Sequence, residues 1–88
     1  MMFNEQDERY IKQLCEDWRK VAEQHDKAVA KGNDKDERLL YGAVCVNLGM
    51  IYGAIRYIGE LNGTQYTINT VYGTVRIKNE NTGEEVEF

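Results

Sequence analysis

The residues that are able to supply acid–base, metal or thiol chemistry are few in this chain and lie far apart. His25 is its only histidine, and Cys15 and Cys45 are its only cysteines. One histidine cannot hold zinc by itself, and general acid–base catalysis needs a correctly placed partner. Asp26 follows His25 directly, but adjacent residues do not face each other on a helix. We therefore predict no enzyme activity, no catalytic residue, no metal site and no cofactor.

The two cysteines show no spacing that is typical of a metal site. In a helical hairpin that turns near Asn33, their positions along the helix axes differ by about 9 Å, at about 1.5 Å per residue. That separation is longer than a disulfide tolerates. We expect two free, mostly buried thiols, and no neighbouring residue indicates that either thiol is reactive.

The element that must organise the fold is the stretch Leu39–Ile58, in which only Asn47 and Arg56 interrupt apolar or small residues. Its apolar residues recur at alternating steps of four and three, which predicts a helix with apolar contacts on most sides. Each glycine in a helix costs about 1 kcal/mol relative to alanine, and valine, isoleucine and tyrosine prefer strands. Two short strands are therefore the alternative structure for this stretch.

The same stretch is long enough to span a bilayer, which takes about 20 apolar residues. It also contains Gly49 and Gly53 at the spacing of a packing motif of membrane helices. Asn47 lies at mid-span, however, and the residues that flank the stretch include the acidic Asp36 and Glu60 rather than a positive cluster. We therefore favour a buried core helix over a membrane span.

A second amphipathic helix precedes this stretch and begins after Asn4, a good N-cap. One face of it recurs at steps of three and four and consists of Ile11, Leu14, Trp18, Val21, His25 and Ala28. Gly32 supplies a C-terminal stop, and Asn33 or Asp34 restarts a helix, so the short connection predicts an antiparallel hairpin. We place helix 1 at about residues 5–31 and helix 2 at about residues 34–61.

From Thr64 onward the period changes to two, which is typical of strands. One register, with a turn at residues 80–83, produces four compatible cross-strand pairs. These pairs are Ile77 with Val86, Val75 with Phe88, Arg76 with Glu87 and Lys78 with Glu85. A second turn at Tyr72-Gly73 places Ile68 opposite Ile77. The pattern therefore predicts a three-stranded antiparallel meander at about residues 64–88, with one apolar and one polar face.

Length and composition describe one small globular domain. The 88 residues are 42% hydrophobic and 30% charged, which is ordinary for a folded soluble protein. The predicted fold class is α+β, a long antiparallel helical hairpin followed by a small three-stranded antiparallel β-meander packed on helix 2. We expect a single domain over residues 1–88.

The charge balance disfavours nucleic acid as a partner. The formal net charge is −4, and the basic residues form no stripe that would follow a phosphate backbone. The first ten residues contain no basic region followed by an apolar one, so no secretory signal is predicted. We expect a cytoplasmic protein that does not bind a membrane.

Helix 2 carries apolar rows on more sides than helix 1 and a small sheet can cover, which predicts a homodimer. Tyr41 and Tyr52 lie on one side of helix 2, and tyrosine is common in interfaces. Gly49 and Gly53 belong to a row with little side-chain bulk, and Asn47 resembles the polar residue that fixes register in helical assemblies. We predict that these five residues mediate self-association.

A second candidate surface lies on the meander. Because the helix faces are committed to packing, the polar face and free edges of the sheet are the predicted contact region for a protein partner of unknown identity. The residues that we assign to partner binding are Thr67, Asn69, Arg76 and Lys78.

The chain is small and mildly acidic, and it is expected to form one compact domain. In these general properties it is similar in kind to many phage and mobile-element proteins that inhibit host defence enzymes, including anti-CRISPR proteins. No residue motif carries this similarity. It implies a small acidic, non-enzymatic interaction protein that binds or inhibits another macromolecule. The alternative is a small regulatory module that binds a ligand or a nucleic acid in a crevice between helix and sheet.

Overall fold

The computed structural model describes residues 2–88, which form two helices followed by a three-stranded sheet. The elements in chain order are α1 (Glu5–Ala30), α2 (Asp34–Asn62), β1 (Tyr66–Val71), β2 (Thr74–Asn79) and β3 (Glu85–Glu87). The predicted α+β class, a helical hairpin followed by an antiparallel meander, is confirmed. Residues 39–58 lie within one helix, so the alternative of two short strands is wrong.

Each helix begins after an asparagine whose side chain accepts a hydrogen bond from the first turn. Asn4 Oδ1 accepts from the Asp7 amide at 2.7 Å, and Asn33 Oδ1 accepts from the Asp36 amide at 3.1 Å. Such caps satisfy amide groups that have no partner within the helix. α2 ends at Gly63, whose φ of 64° is the left-handed conformation that glycine adopts without strain.

The sheet has the order β1-β2-β3, and both strand pairs are antiparallel. The predicted register is confirmed, because Ile68 lies opposite Ile77 and Ile77 lies opposite Val86. Val75 and Phe88 exchange two backbone hydrogen bonds, at 3.0 and 2.8 Å. One register therefore places the apolar side chains on one face of the sheet and the charged side chains on the other.

The turn between β1 and β2 consists of Tyr72 and Gly73, whose φ angles are 50° and 80°. Positive φ at both central positions is the geometry of the two-residue hairpin turn that matches the twist of the strands. Glycine takes this conformation freely, whereas tyrosine takes it against a steric penalty. The pairing of β1 with β2 is what holds Tyr72 there.

One hydrophobic core joins the open end of the hairpin to the apolar face of the sheet. Its buried members are Phe3, Ile11, Leu14, Cys15, Trp18, Ile51, Ile55, Ile58, Val75 and Ile77. Phe3 precedes the first helix and no role was predicted for it, yet its ring centroid lies 5.1 Å from that of Tyr66 and 6.3 Å from that of Phe88. Phe3 therefore closes the core beside the sheet, ahead of the first helix.

The molecule is elongated, with principal extents of 45 × 20 × 19 Å. Arg19 fastens α1 to the sheet, because its guanidinium donates hydrogen bonds to the carbonyl oxygens of Gly73 at 3.1 Å and Phe88 at 3.0 Å. The buried residues of α1 lie at or before its middle except for Ala28, and those of α2 lie in its second half. The sheet therefore covers the open end of the hairpin.

α2 is much less buried than the sequence analysis predicted. Its buried residues are Ile51, Ile55, Ile58 and Gly59, all in its C-terminal half. By length and composition alone, α2 is apolar enough to cross a membrane. The interpretation of Leu39–Ile58 as a buried core helix with contacts on most sides holds for one side only.

Candidate interaction sites

A long exposed apolar surface runs along one side of α2, and we name it the seam. It consists of Leu39, Ala43, Val46, Met50, Gly53, Tyr57 and Leu61, which follow one another at steps of four and three. This spacing keeps all seven residues on one side of a helix. Leu39, Val46 and Tyr57 are 66%, 64% and 62% exposed. α1 packs on one flank of the seam and does not cover it. Within residues 2–88 the seam itself therefore faces solvent.

The C-terminal half of the seam borders an open groove of about 700 Å³ between α1 and α2. Tyr10 of α1 lines one side of the groove, while Tyr57 and Leu61 of α2 line the other. Gly53 and Ala54 also line it and contribute little side-chain bulk. A β-carbon built at Gly53 would meet no atom within 4 Å, so the space at this position is open.

A second opening, which we name the crevice, lies between α2 and β1. It has a volume of about 890 Å³, and Tyr52, Ile55 and Arg56 of α2 line it together with Tyr66 and Ile68 of β1. Its apolar lining thus comes from both a helix and an edge strand. Such a concave surface with a few polar groups is typical of a binding site.

Gly59 fixes how closely the sheet approaches α2 beside the crevice. A β-carbon at Gly59 would lie 2.5 Å from the carbonyl oxygen of Thr64 and 3.2 Å from the Tyr66 ring. Only a residue without a side chain fits this contact. The chain between α2 and β1 therefore packs directly on the helix backbone.

β1 is an edge strand, so half of its backbone groups have no partner within the sheet. Val75 uses its N–H and its C=O in bonds to Phe88, which follows β3. Thr70, which lies opposite Val75, must therefore direct its own N–H and C=O away from β2. The same alternation gives Ile68 and Tyr66 outward backbone groups. Those two residues also line the crevice.

The four residues predicted to bind a partner, Thr67, Asn69, Arg76 and Lys78, are all exposed on the polar face of the sheet. Two of them already have partners within the sheet. Arg76 Nε donates to Glu87 Oε1 at 2.7 Å, and Thr67 Oγ1 donates to Glu80 Oε1 at 2.7 Å. The polar face is therefore a mixture of both charges with internal pairs.

The five residues predicted to self-associate do not lie on one side of α2. Successive helix residues are rotated by about 100°, so Tyr41 and Tyr52 lie roughly opposite the seam. Gly53 belongs to the seam, and Gly49 lies on its flank. Asn47 lies on the other flank, and its Nδ2 donates to the Ala43 carbonyl oxygen at 2.8 Å. The amide of Asn47 is thus used in a local bond.

The seam was not among the residues predicted to bind a partner or to self-associate, apart from Gly53. The spacing of Leu39, Ala43, Val46 and Met50 is visible in the sequence. Its continuation through Gly53 and Tyr57 is the signal that could have identified the seam. Periodicity alone does not report which of two apolar rows a partner helix covers.

The groups able to do chemistry remain dispersed in three dimensions. Cys15 is buried, and burial raises the pKa of its thiol above the ordinary value of 9.0. Cys45 is exposed, so the expectation of two mostly buried thiols is wrong for this residue. Within residues 2–88 no three histidine, cysteine, aspartate or glutamate residues are grouped so as to hold a metal ion.

His25 is half-buried and lies near groups on both helices. Its ring centroid is 5.9 Å from that of Tyr41 on α2. Its Nδ1 lies 3.8 Å from Asp26 Oδ1. The side chain of Asp26 therefore does come near His25, although the two residues are adjacent on a helix. This distance is too long for a hydrogen bond.

Comparison of the chain with protein-family models, with curated proteins and with solved structures gave no match.

Proposed function

We propose that this chain is a non-enzymatic binding protein that takes up an extended segment of another protein at the free edge of β1. The observation that carries this proposal is the combination of an unpaired strand edge and the adjoining crevice. Added strands gain affinity from main-chain hydrogen bonds and specificity from pockets for alternate side chains. The edge supplies the first of these features and the crevice supplies the second.

The backbone groups of Ile68 and Thr70 would pair with the incoming strand. Alternate side chains of that strand would enter the crevice and contact Tyr52 and Ile55. Charged residues on the polar face, such as Lys78, would then contact the partner outside the added strand. In this arrangement the sheet gains a fourth strand and loses its longest free edge.

Two other macromolecular partners fit the chain less well. Nucleic acid is disfavoured by the net charge of −4 and by the pairing of Arg76 with Glu87. A membrane span through α2 would carry α1, which packs along it, into the hydrocarbon. The outer face of α1 is charged, for example at Glu23 and Lys27, whose ion pair measures 3.3 Å. Such a face is costly in a bilayer.

We propose a cytoplasmic location. The support is the pair of free thiols, of which Cys45 is exposed, because exposed thiols persist in a reducing compartment. An acidic chain is also not attracted to the anionic surface of a cytoplasmic leaflet.

The test compares Thr70→Pro with the matched control Thr70→Val in affinity capture from a cell extract. Proline removes the outward N–H of Thr70 and is tolerated on an edge strand whose N–H is unpaired. Valine has a similar shape and keeps that N–H. We expect wild type and Thr70→Val to capture the same protein and Thr70→Pro to lose it, while circular dichroism shows that all three chains are folded.

Equal capture by folded Thr70→Pro would refute strand addition. In that case the double variant Arg76→Glu with Lys78→Glu tests whether the polar face binds the partner. Loss of capture in the double variant alone would place the contact on the side chains of the sheet. Unchanged capture in both variants would remove the meander as the binding surface.

The volume of the crevice favours a second candidate function, the binding of a small apolar ligand. About 890 Å³ lies within the range of small-molecule sites. A dye such as 1-anilinonaphthalene-8-sulfonate would report occupation by its fluorescence. If a ligand is the occupant, Tyr52→Glu will abolish dye binding and Thr70→Pro will not change it. Strand addition predicts that Thr70→Pro is the more damaging variant for partner capture.

A further inference from the structure

We propose that the seam binds the seam of a second copy of this chain, with the two α2 helices antiparallel and a twofold axis passing near Met50. This inference goes beyond the proposed function, because the seam shares one residue, Gly53, with the lining of the crevice and does not include the edge of β1. The dimer would leave both β1 edges free. Each protomer would contribute the same surface, as a twofold interface requires.

The sizes of the seam residues are complementary at two of the pairs that this arrangement forms, and an in-register parallel pair does not reproduce them. Around an axis at Met50, residue n of one helix lies opposite residue 100 − n of the other. Val46 then faces Ala54 of the second copy, which flanks Gly53, and Tyr57 faces Ala43. At these two pairs a large side chain meets a small one, which is how facing positions interdigitate. A parallel pair would place Tyr57 against Tyr57 and Ala43 against Ala43.

The groove supports the same orientation. It lies at the C-terminal half of the seam, between Tyr10 and Leu61. In the antiparallel pair this half meets the N-terminal half of the second copy, where Leu39 and Val46 project. The groove would receive these two side chains. The exchange occurs twice, once in each groove.

Charged residues on the flank of the seam that α1 does not cover are also complementary. Arg38 lies on this flank near the start of α2, and Glu60 lies on it near the end. Both are exposed. In the antiparallel pair Arg38 of each copy lies on the same edge of the interface as Glu60 of the other, which within its own chain also pairs with Arg56 at 3.5 Å. A parallel twofold pair would place these flanks of the two copies on opposite edges of the interface. Opposed helix dipoles add a further favourable term.

The available area is of the size that a stable dimer needs. Six large apolar side chains of this surface are between 49% and 68% exposed: Tyr10, Leu39, Val46, Met50, Tyr57 and Leu61. Together they offer an area on the order of several hundred Å², and a standard interface buries about 800 Å² on each partner. Exposed apolar patches of this size mark interaction surfaces on soluble proteins.

The first experiment is sedimentation equilibrium of wild type, Val46→Glu and the matched control Tyr41→Glu. Both residues are exposed apolar residues of α2, but Tyr41 lies on the opposite side from the seam. We expect a dimer for wild type and Tyr41→Glu. For Val46→Glu we expect the dissociation constant to rise roughly a hundredfold or more, because the carboxylate enters an apolar contact twice per dimer. Circular dichroism verifies that each chain is folded.

The second experiment determines orientation by disulfide cross-linking in a Cys45→Ser background, where the remaining Cys15 is buried. Met50→Cys lies near the axis and should form a cross-linked dimer on oxidation. Leu39→Cys and Leu61→Cys should each fail to cross-link alone, because their partner position is the other residue. An equimolar mixture of the two should cross-link as a heterodimer. Disulfide formation requires close approach of the two β-carbons.

Three results would overturn the proposal. A monomer at high micromolar concentration removes the dimer. Self-cross-linking of Leu39→Cys alone makes the pair parallel. Dissociation by Tyr41→Glu but not by Val46→Glu moves the interface to the opposite side of α2. If the protein is a monomer and Val46→Glu abolishes capture of another protein, the seam binds that protein and not a second copy. Strand addition at β1 is tested independently of this result by the Thr70 variants.

Discussion

The two helices have similar lengths but use their apolar residues in different ways. α1 buries Ile11, Leu14, Cys15, Trp18 and Ala28, and its outer face is charged. α2 buries only four residues, yet it exposes Leu39, Tyr41, Val46, Met50, Tyr52, Tyr57 and Leu61. Of the large apolar residues of α1, only Tyr10 and Val29 are exposed, so the fold uses most of its apolar content. The apolar content of α2 exceeds what the fold uses.

We propose that this difference separates their roles, with α1 serving mainly stability and α2 serving both stability and recognition. One side of α2 completes the core with α1 and the sheet. The seam and the crevice lie on its remaining sides. An excess of exposed apolar area on one element is costly for solubility unless a partner covers it. Substitutions on the two sides of α2 should consequently separate folding from binding.

The largest expected effect comes from Ile51→Ala compared with its neighbour Met50→Ala. Ile51 is 0% exposed, so its truncation should lower the free energy of unfolding by about 2–5 kcal/mol. Met50 is half-exposed, and its truncation should cost less than about 1 kcal/mol in the monomer while weakening self-association. Urea denaturation at low protein concentration measures the first quantity and sedimentation the second. Similar losses of stability for both variants would show that the seam belongs to the core.

A smaller effect, with opposite signs at two positions, is expected from Gly59→Ala and Gly49→Ala. At Gly59 the new methyl group would collide with the Thr64 carbonyl oxygen, and overpacking of this kind costs about 1–3 kcal/mol. At Gly49 it would meet no atom within 4 Å. There the higher helix propensity of alanine should stabilise the monomer by up to about 1 kcal/mol. Thermal unfolding midpoints that move in the same direction would contradict this contrast.

The smallest effect is a difference between the thiols of the two helices. Cys45 should react with a maleimide at pH 7.5, whereas buried Cys15 should react only on unfolding. The pKa of Cys15 is raised in the folded state. Above pH 9 the unfolded chain therefore loses its proton first, so the free energy of unfolding should fall as pH rises. Cys15→Ala should lose this dependence, and an unchanged slope would assign it to other groups.

Much of the fold could be predicted from the sequence because its signals are local. The caps at Asn4 and Asn33 depend on a side chain and an amide three residues away. The sheet register follows from turn positions and a period of two, and a shift by one residue would expose the apolar face. The turn at Tyr72-Gly73 was likewise predicted at its observed position.

The candidate sites could be predicted only in part. The exposure of Thr67 and Lys78 follows from the alternation of the strands. The division of α2 into a buried side and an exposed seam does not, because several rows of this helix are apolar. Asn47 illustrates the same limit, since its amide had either a local acceptor or a partner helix available. The structure gives it the carbonyl oxygen of Ala43.

The sequence by itself determined the elements, their order and the pairing of the strands, since these depend on interactions between residues close along the chain. The tertiary structure decided which side of α2 is covered, how near β1 approaches the helix at Gly59, and that Phe3 closes the core. These outcomes depend on how far a short sheet reaches along two long helices. That reach is set by packing between distant segments, and the sheet ends before it covers the seam.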